Sequence, residues 1–361
     1  MTAPVMIMAG GTGGHVIPAL AVAGALRGRR DVVWLGTERG IEARLVPAAG
    51  YPVEWIQVEG LRGKGIARWL KAPFSLARAV GQARKALERR RPGVVLGCGG
   101  FASGPGGIAA WLTGAPLVIH EQNAVAGLTN RWLARFASRI AEGFPGSFPR
   151  RRGAVYVGNP VRTAIAALPP PRVRMGTREG PFRLFVFGGS QGAAALNRLV
   201  PEAVAMLPLV HRPVVLHQTG TRDRDATEAS YRAAGVQADV RAYIDDMAAA
   251  YADADLVVSR AGASTVAEIA AAGVASILVP FPAAVDDHQT KNAAWLGQVS
   301  AAQVVSESGL TAGELANRLA TLFSAGRAKL LAMAEAARSR RVTDSAERVA
   351  ALCLEAEGMR A

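Results

Sequence analysis

The stretch VMIMAGGTGGHVIPALAVAGAL at residues 5–26 decides the expected fold. It opens with a short apolar run, passes through a glycine-rich loop at residues 10–14 and continues as an apolar segment with helical character. Short apolar runs that do not alternate with polar residues are typical of buried parallel strands. The stretch therefore predicts a strand, a tight turn and a helix, which together form the repeating unit of an α/β sheet.

The same unit recurs along the chain of 361 residues. Further apolar runs, followed by turns and helical segments, lie at residues 31–37, 93–100, 116–123, 182–200, 212–220, 236–273 and 274–282. A segment rich in proline, glycine and charge at residues 167–181 interrupts the series and indicates a connection. We expect two similar α/β halves, with an N-terminal domain at residues 1–160 and a C-terminal domain at 161–340. A final helix at residues 341–361 is expected to pack back on the N-terminal domain.

Composition limits the class of protein. Half of the residues are hydrophobic, which is enough for a large core in more than one domain. Cys98 and Cys353 are the only cysteines, so a disulfide framework or a cysteine-rich metal motif is excluded and a reducing compartment is indicated. The longest apolar stretch, residues 269–285, is broken by glycine and proline and is shorter than the ~20 residues of a spanning helix. With no secretory signal pattern, we expect a protein of the cytoplasm or of a membrane surface.

The formal net charge of +14 favours polyanionic partners. Nucleic acid, anionic lipid headgroups and phosphorylated substrates all suit this charge, and so does a merely solvated basic surface. The sequence contains no helix-turn-helix, RNA-recognition or zinc pattern, which counts against a nucleic-acid-binding protein.

Four glycine-rich turns follow predicted strands, at residues 10–15, 97–107, 187–193 and 259–265. Glycine lets the backbone approach a ligand, and the helix N-terminus behind such a turn attracts phosphate. The dinucleotide motif GxGxxG is not formed, because Val16 stands where the third glycine would be. No GK[ST] sequence follows any of the loops, so both the dehydrogenase and the P-loop interpretations lose support.

Six motifs occur in the order typical of one enzyme family. They are GGTGGHVIPALAVA at residues 10–23, HEQNAVAGLTNRWLA at 120–134, VGNPVR at 157–162, FGGSQGAAALN at 187–197, YIDDMAAAYADADLVVSRAGASTVAEIAAAG at 243–273 and VPFPAAVDDHQTKNA at 279–293. Together they resemble the bacterial glycosyltransferases that convert lipid I to lipid II in peptidoglycan synthesis, over residues 4–350. The resemblance implies the GT-B fold, in which two Rossmann-like domains face each other across a cleft.

The resemblance also implies a reaction and its substrates. N-acetylglucosamine would pass from UDP-N-acetylglucosamine to the C4 hydroxyl of the muramic acid sugar of lipid I, with inversion at the anomeric carbon. No cofactor and no bound metal are implied, and other cell-wall synthesis proteins become candidate partners. Asp245 and Asp246 are adjacent carboxylates, but they do not form a DxD pattern and are interpreted as a helix start.

The resemblance assigns the donor to the second half of the chain. Glu268 matches a glutamate that binds the ribose hydroxyls, although Thr265 and Glu268 also have the spacing of a helix capping box. Arg260 is interpreted either as a surface residue or as a cation that faces the phosphates. The other matched positions surround the diphosphate, the uracil and the sugar, and they are Arg162, Ser190, Gln191, Ile244, Ala263, Ser264, Thr265, Val266, Ala267, His288, Gln289 and Asn292.

The resemblance assigns the acceptor to the first half. His15 is the first candidate for the general base, since an imidazole titrates near neutral pH. A lone histidine at a helix start is also explained by a capping or hydrogen-bonding role. Glu121 is the second candidate for the base. The other matched binding positions are Asn123 and the loop residues Thr12, Gly13 and Gly14, which by the resemblance face both the donor diphosphate and the acceptor.

The segment at residues 67–91 is predicted to contact an anionic membrane surface, where lipid I is anchored. Apolar and aromatic residues alternate there with basic ones, a pattern that suits a helix lying on a membrane. A helix that packs on the core and has a solvated basic face explains the same pattern. The residues expected at the membrane are Trp69, Leu70, Lys71, Phe74 and Arg78. This interpretation places the protein at the cytoplasmic face of the inner membrane as a peripheral protein.

Three other functions remain as alternatives. A UDP-N-acetylglucosamine epimerase has two similar Rossmann-like halves, but it would change the donor without any acceptor. A glycolipid synthase that acts on diacylglycerol is disfavoured by the N-terminal motifs. A basic nucleic-acid-binding protein would bind DNA in a salt-sensitive manner.

Overall fold

The structure is a computed structural model. It describes residues 2–58, 66–189 and 192–358. Two positions that the resemblance assigns to the donor, Ser190 and Gln191, lie outside the described residues. The same holds for the side chains at the start of the long helix of the first half, which include Trp69, Leu70 and Lys71.

The chain divides into two compact units. Unit 1 is formed by Met1–Pro160 together with Asp344–Ala361, and unit 2 is formed by Val161–Thr343. Each unit has its own parallel β-sheet and its own hydrophobic core. The expected fold class, α/β with two Rossmann-like halves, is confirmed.

Unit 1 is built on seven parallel strands. The strands are β1 (Val5–Met8), β2 (Val32–Gly36), β3 (Val53–Trp55), β4 (Val94–Gly97), β5 (Leu117–Glu121), β6 (Arg139–Glu142) and β7 (Val155–Tyr156). Their order in the sheet is β3-β2-β1-β4-β5-β6-β7. The helices are α1 (Gly13–Leu26), α2 (Glu42–Ala48), α3 (Ile66–Arg90), α4 (Ser103–Thr113) and α5 (Leu128–Leu133).

Unit 2 is built on six parallel strands. They are β8 (Arg183–Phe187), β9 (Val214–Gln218), β10 (Ala238–Arg241), β11 (Leu256–Ser259), β12 (Ala275–Leu278) and β13 (Ala302–Val304), in the order β10-β9-β8-β11-β12-β13. The helices are α6 (Thr163–Ala166), α7 (Pro171–Met175), α8 (Ala194–Ala205), α9 (Arg224–Ala233), α10 (Met247–Asp253), α11 (Ala263–Ala272), α12 (His288–Gly297), α13 (Ala312–Ser324) and α14 (Gly326–Arg338).

The last helix, α15 (Ser345–Gly358), belongs to unit 1 and packs against α1 and β4–β6. Successive residues of a strand point to opposite faces of a sheet. Val5 and Ile7 accordingly join the core cluster that α1 and α15 cover, whereas Met6 and Met8 join the cluster that α3 and α4 cover. None of the helices in the described part of the chain combines the length and hydropathy needed to cross a membrane.

Each sheet buries a histidine in one of its strands. His120 in β5 has its Nε2 3.1 Å from the carbonyl oxygen of Gly158. His217 in β9 lies 3.0 Å from the hydroxyl of Tyr231 through Nδ1 and 3.2 Å from Oδ1 of Asn197 through Nε2. Burial lowers the pKa of His120 to about 4 and that of His217 to about 3. Both imidazoles are therefore neutral at neutral pH.

We expect the free energy of unfolding to fall as the pH drops from about 6.5 to about 4. In this window the unfolded chain binds protons at His120 and His217 that the folded chain does not bind, so acid favours unfolding. The loss is at most about 1.4 kcal/mol per pH unit for each histidine. Urea unfolding followed between about pH 7 and about pH 4.5 measures it, and His217→Gln should reduce the slope. A free energy that stays constant over this range would contradict the assignment.

Candidate functional site

A buried carboxylate holds the glycine loop of unit 1. Glu42, the first residue of α2, accepts hydrogen bonds from the N–H of Gly11 at 2.9 Å and from the hydroxyl of Thr37 at 2.7 Å. A Cβ atom on Gly10 would lie 2.5 Å from this carboxylate, and one on Gly40 would lie 1.9 Å from it. A side chain at either position would displace this carboxylate. Sequence reasoning missed Glu42, because an acidic residue at a helix start already has an explanation in the helix dipole.

Helix α1 begins directly behind this loop. Its first residue is Gly13, and the preceding Thr12 is extended and makes no side-chain capping bond. The N–H groups of a first helical turn have no partner within the helix and have a partial positive charge. Thr12, Gly13 and Gly14 therefore lie where an anion is favoured, and their contact with a ligand stays a prediction.

His15 occupies the first turn of α1 and is half-buried. Its Nδ1 lies 2.9 Å from Oε1 of Gln122, which follows β5. The ring also packs against Gly99, where an added Cβ would lie 2.8 Å from Nδ1. Nε2 makes no hydrogen bond to any residue that the structure describes, so one ring nitrogen is held and the other is available.

Glu121 organises the loop between β5 and α5. Its carboxylate accepts hydrogen bonds from the N–H of Asn123 at 2.9 Å, the N–H of Gly127 at 3.0 Å and the amide of Asn130 at 2.9 Å. The side-chain amide of Asn123 donates a fourth bond at 3.2 Å. An ionised carboxylate has about four lone-pair positions, and loop donors occupy all of them. This geometry favours a positioning role for Glu121.

Helix α11 presents a second uncapped N-terminus, in unit 2. It begins at Ala263, and the preceding Gly262 is extended with no side-chain cap. The capping-box alternative for Thr265 and Glu268 is wrong, because Thr265 lies inside the first turn and not at the N-cap position. The hydroxyl of Ser264 is buried and has no partner among the described residues. Such an orphaned hydroxyl beside free N–H groups suits an oxyanion.

The stretch from Ala263 to Ala267 thus forms the first turn of α11, as the sequence predicts. The side chain of Val266 is fully buried in this turn, so only its backbone is available to a ligand. Glu268 follows in the second turn and is nearly buried as well.

Glu268 has two partners within unit 2. The hydroxyl of Tyr251 donates to Oε2 at 3.3 Å, and Nε of Arg162 lies 3.5 Å from Oε1. Burial raises the pKa of the Glu268 carboxyl, and the charge of Arg162 opposes that shift. Two predicted donor residues, Arg162 and Glu268, are therefore brought together. Sequence reasoning missed Tyr251, which appears in the sequence only as one aromatic residue in an apolar helix.

Arg260 is held within unit 2. Its guanidinium forms an ion pair with Glu307 and donates to the carbonyl oxygens of Val279 at 3.1 Å and Pro280 at 3.3 Å. It also lies over the ring of Phe281, 5.3 Å from the centroid. The surface interpretation of Arg260 is wrong, because only 9% of the residue is exposed. Its role at the phosphates stays a prediction.

Two amide side chains of α12 support the turn that leads to α11. Oε1 of Gln289 accepts from the N–H of Ala261 at 3.2 Å and from the N–H of Phe281 at 2.9 Å. The amide of Asn292 is buried and donates to the carbonyl oxygen of Ala261 at 3.1 Å. His288 is half-buried at the first position of the helix. Sugar recognition by these three residues stays a prediction.

The segment before α10 combines a buried backbone with a helix cap. The N–H of Ile244 donates to Oε1 of Gln218 at 3.1 Å, so the position assigned to uracil is fixed by a side chain that sequence reasoning missed. Asp246 accepts from the N–H of Ala249 at 2.9 Å, which confirms the helix-start interpretation of the Asp245 and Asp246 pair. Among the described residues, no cluster of three His, Cys, Asp or Glu side chains could hold a metal ion.

Both units place glycine-rich turns after the carboxyl ends of parallel strands, where open α/β sheets bind ligands. One chain with two such Rossmann-like units has the architecture of the GT-B glycosyltransferases. The chain belongs to glycosyltransferase family 28. Residues 5–142 match the N-terminal domain of that family, and residues 183–349 match its C-terminal domain.

Named relatives match almost the full length of the chain. The UDP-N-acetylglucosamine--N-acetylmuramyl-(pentapeptide) pyrophosphoryl-undecaprenol N-acetylglucosamine transferase of Nitrosococcus oceani is 54% identical over 356 residues. That alignment covers 98% of this chain and 99% of the relative. A transferase of the same name from Chromohalobacter salexigens is 56% identical and covers 98% of this chain and 96% of its own.

Solved structures agree with the fold. The crystal structure of Acinetobacter baumannii MurG is 40% identical, has a TM-score of 0.85 and covers 98% of this chain and 99% of its own. A putative UDP-N-acetylglucosamine 2-epimerase from Listeria monocytogenes has a TM-score of 0.66 with 14% identity, covering 100% of this chain and 97% of its own. At that identity the likeness shows the fold alone, so the fold does not separate a transferase from an epimerase.

Proposed function

We propose that this chain transfers N-acetylglucosamine from UDP-N-acetylglucosamine to the C4 hydroxyl of the muramic acid sugar of lipid I, which forms lipid II with inversion at the anomeric carbon. The observation that carries the proposal is the 54% identity with the Nitrosococcus oceani transferase across 98% of the chain. That relative is named for the transfer of N-acetylglucosamine to an undecaprenol-linked muramyl pentapeptide. The matches of both domains to family 28 support the same reaction class.

The donor is assigned to unit 2. The carboxylate of Glu268 accepts hydrogen bonds from the two vicinal ribose hydroxyls, and Tyr251 and Arg162 hold that carboxylate in place. The diphosphate lies against the N-terminus of α11, where the free N–H groups and the unpartnered hydroxyl of Ser264 meet its negative charge.

The reaction is a single displacement at C1 of the sugar. The C4 oxygen of the acceptor forms its bond to C1 while the bond from C1 to the β-phosphate oxygen breaks, and the electron pair leaves with UDP. Negative charge therefore develops on the diphosphate in the transition state. The oriented N–H groups of the first turn of α11 stabilise that charge without having to reorganise.

The acceptor hydroxyl must lose its proton during this step. His15 is assigned as the base that takes it, since one ring nitrogen is held by Gln122 and Nε2 is available. The glycine loop in front of His15 is fixed by Glu42, which keeps the start of α1 in place. Glu121 supports the adjoining loop and is assigned no proton transfer, because its oxygens already accept four hydrogen bonds.

The proposed reaction is tested by the identity of the product. The protein is incubated with UDP-N-acetylglucosamine and a short-chain lipid I analogue, and mass spectrometry should find the analogue heavier by one N-acetylhexosamine. Proton coupling at the new anomeric centre should show the β configuration. Conversion of the donor to its epimer in the absence of acceptor, with no product formed when acceptor is present, would favour the epimerase alternative.

We also propose that unit 1 binds the membrane in which lipid I is anchored, at its cytoplasmic face. Helices α3, α4 and α5 pack side by side, and they and the turn that follows α5 expose a set of large apolar side chains, here named the aromatic surface. The aromatic surface consists of Phe74, Leu76, Trp111, Trp132 and Phe136.

Contacts within the aromatic surface support this proposal. The rings of Trp111 and Phe136 lie 5.0 Å apart, and the guanidinium of Arg135 lies 4.5 Å from the ring of Trp132. Phe74 is 80% exposed and Arg78 is exposed as well, whereas the opposite side of α3 is buried in the core. Aromatic residues with basic neighbours suit an anionic lipid surface. Packing of α3 on the core does not explain why Phe74 is exposed.

The double variant Phe74→Ser, Trp111→Ser is expected to bind anionic vesicles at least about 10-fold more weakly, since burial of one such side chain contributes about 1.5–3 kcal/mol. Sedimentation with vesicles of phosphatidylglycerol and phosphatidylcholine measures the affinity. The matched control is Leu209→Ser, Val210→Ser, which removes equally exposed residues from unit 2 and should leave binding unchanged. Equal binding of wild type and the first double variant would overturn the proposal.

A further inference from the structure

We propose that Gln122, oriented by His120, is a positioning residue that fixes the tautomer of His15 and leaves Nε2 as the ring nitrogen without a proton. The inference rests on the proposed role of His15 as the base and adds two residues to it. The three side chains form a row within unit 1 that ends at the carbonyl oxygen of Gly158.

The orientation of the Gln122 amide follows from its neighbours. One end of the amide lies 3.1 Å from the carbonyl oxygen of His120, which can only accept a hydrogen bond. That end must therefore be the NH₂ group, and the opposite end, which faces His15, must be the oxygen Oε1. Because Oε1 can only accept, Nδ1 of His15 has to be the donor across their 2.9 Å contact. In the neutral ring the proton thus resides on Nδ1, and the lone pair resides on Nε2.

His120 fixes the NH₂ group of Gln122 in turn. Nε2 of His120 lies 3.1 Å from the carbonyl oxygen of Gly158, so this nitrogen bears the proton. Nδ1 of His120 then has a lone pair, and it accepts from Nε2 of Gln122 at 3.3 Å. Both hydrogens of the NH₂ group have acceptors, which are Nδ1 and the backbone carbonyl oxygen of His120. If Nδ1 of His120 were also protonated, it and the NH₂ group of Gln122 would be two donors facing each other. Complete burial keeps this imidazole neutral and so avoids that conflict.

Further contacts hold Gln122 and His15 in place. Asn159 donates to the backbone carbonyl oxygen of Gln122 at 2.9 Å. On the other side the imidazole of His15 packs against Gly99, whose φ of +95° and missing Cβ leave room for the ring. Gly99 itself donates to the hydroxyl of Ser103 at 3.0 Å. The ring of His15 therefore has one face and one nitrogen fixed before any substrate binds.

A neutral amide has a different effect from the carboxylate that orients histidine in many hydrolases. A carboxylate both orients the ring and stabilises the imidazolium that forms. Gln122 orients the ring, but its neutral amide stabilises the imidazolium only through the dipole of its carbonyl group. His120 lies near His15 in this row, and because burial keeps its imidazole neutral it adds no second positive charge beside the imidazolium.

The wild-type protein provides the first test. It contains five histidines, so a long-range ¹H–¹⁵N correlation spectrum of the ¹⁵N-labelled chain resolves each imidazole, and His15→Gln identifies the signals of His15. In the absence of substrates we expect a protonated Nδ1 and an unprotonated Nε2 on His15. The opposite tautomer, or a mixture of both, would overturn the inference.

Two variants test whether the tautomer matters for the reaction. Gln122→Met keeps the length of the side chain but removes the acceptor, so the Nδ1–H signature should be lost and kcat should fall about 10-fold or more, with the KM for UDP-N-acetylglucosamine unchanged. Gln122→Glu keeps an acceptor for Nδ1 but loses the NH₂ group that His120 orients, so it should keep the Nδ1–H signature while kcat falls less than in Gln122→Met. The matched control Gln303→Met lies in unit 2 and should change neither quantity.

The outcomes separate this inference from the proposed function. Full activity of Gln122→Met, or an Nδ1–H signature that survives in it, would overturn the positioning role. If instead His15→Ala keeps full turnover, His15 is not the base, even where the spectrum shows the expected tautomer.

Discussion

Replacement of His15 with alanine is expected to lower kcat about 100- to 10,000-fold, because the acceptor hydroxyl would then have to give its proton to water. The KM for UDP-N-acetylglucosamine should stay near its wild-type value, since the residues assigned to the ribose, the uracil and the sugar lie in unit 2. Initial rates at a saturating concentration of a short-chain lipid I analogue measure both constants. His211→Ala is the matched control, as His211 belongs to a short helical turn of unit 2 with no assigned role.

Glu121→Gln distinguishes the two candidates for the base. Glu121 accepts four hydrogen bonds from its own loop, so this variant should lower the melting temperature together with kcat. A variant that loses turnover with an unchanged melting temperature, while His15→Ala stays active, would make Glu121 the base.

Glu268→Gln is expected to raise the KM for UDP-N-acetylglucosamine about 10- to 100-fold. In the proposed donor site this carboxylate accepts charge-assisted hydrogen bonds from the ribose hydroxyls, and such bonds contribute about 1.5–3 kcal/mol. At saturating donor, kcat should change less, because the ribose is bound equally in the ground state and the transition state. Titration calorimetry with UDP measures the same loss without the reaction.

A milder variant and a control variant accompany this prediction. Tyr251→Phe removes the hydroxyl that lies 3.3 Å from the carboxylate, so it should weaken UDP binding by a smaller factor of about 2–10. Glu314→Gln changes a carboxylate in the first turn of α13, away from any assigned ligand, and should leave the affinity unchanged. An unaltered affinity for UDP in Glu268→Gln would remove Glu268 from the donor site.

The repeating strand, turn and helix could be predicted because the information is local. Residues 5–26 form β1, the glycine loop and α1 as expected. The strand and the turn could be predicted because the apolar run and the glycines that define them are adjacent in the sequence. The strands β3, β6, β7 and β13 are not predicted from the sequence. Val53–Trp55 and Val155–Tyr156 are only partly buried and form no apolar run, so only their neighbours in the sheet define them.

The identity of the candidate site residues could be predicted from motifs, but their partners could not. Gln122 contacts His15 although the two residues are 107 positions apart in the sequence, and Glu42 contacts Gly11 although they are 31 positions apart. Nothing in the local sequence marks either partner as special. Arg260 illustrates the same limit, because its ion pair with Glu307 is a tertiary contact that no local pattern indicates.

The choice between alternatives at one motif also needed the structure. Thr265 and Glu268 have the spacing of a capping box, and only the position of the helix start excludes it. The N-cap is Gly262 and not Thr265, a difference of three residues, which is within the usual uncertainty of a helix boundary predicted from sequence.

The most direct test of the central claim is the release of UDP from UDP-N-acetylglucosamine, measured with and without a short-chain lipid I analogue. A glycosyltransferase that uses lipid I as acceptor releases one UDP for each acceptor consumed. When the acceptor is left out, it releases UDP only through slow hydrolysis of the donor. We predict UDP release that depends on the acceptor and equals the product formed. UDP release that is unaffected by the lipid I analogue would contradict the account.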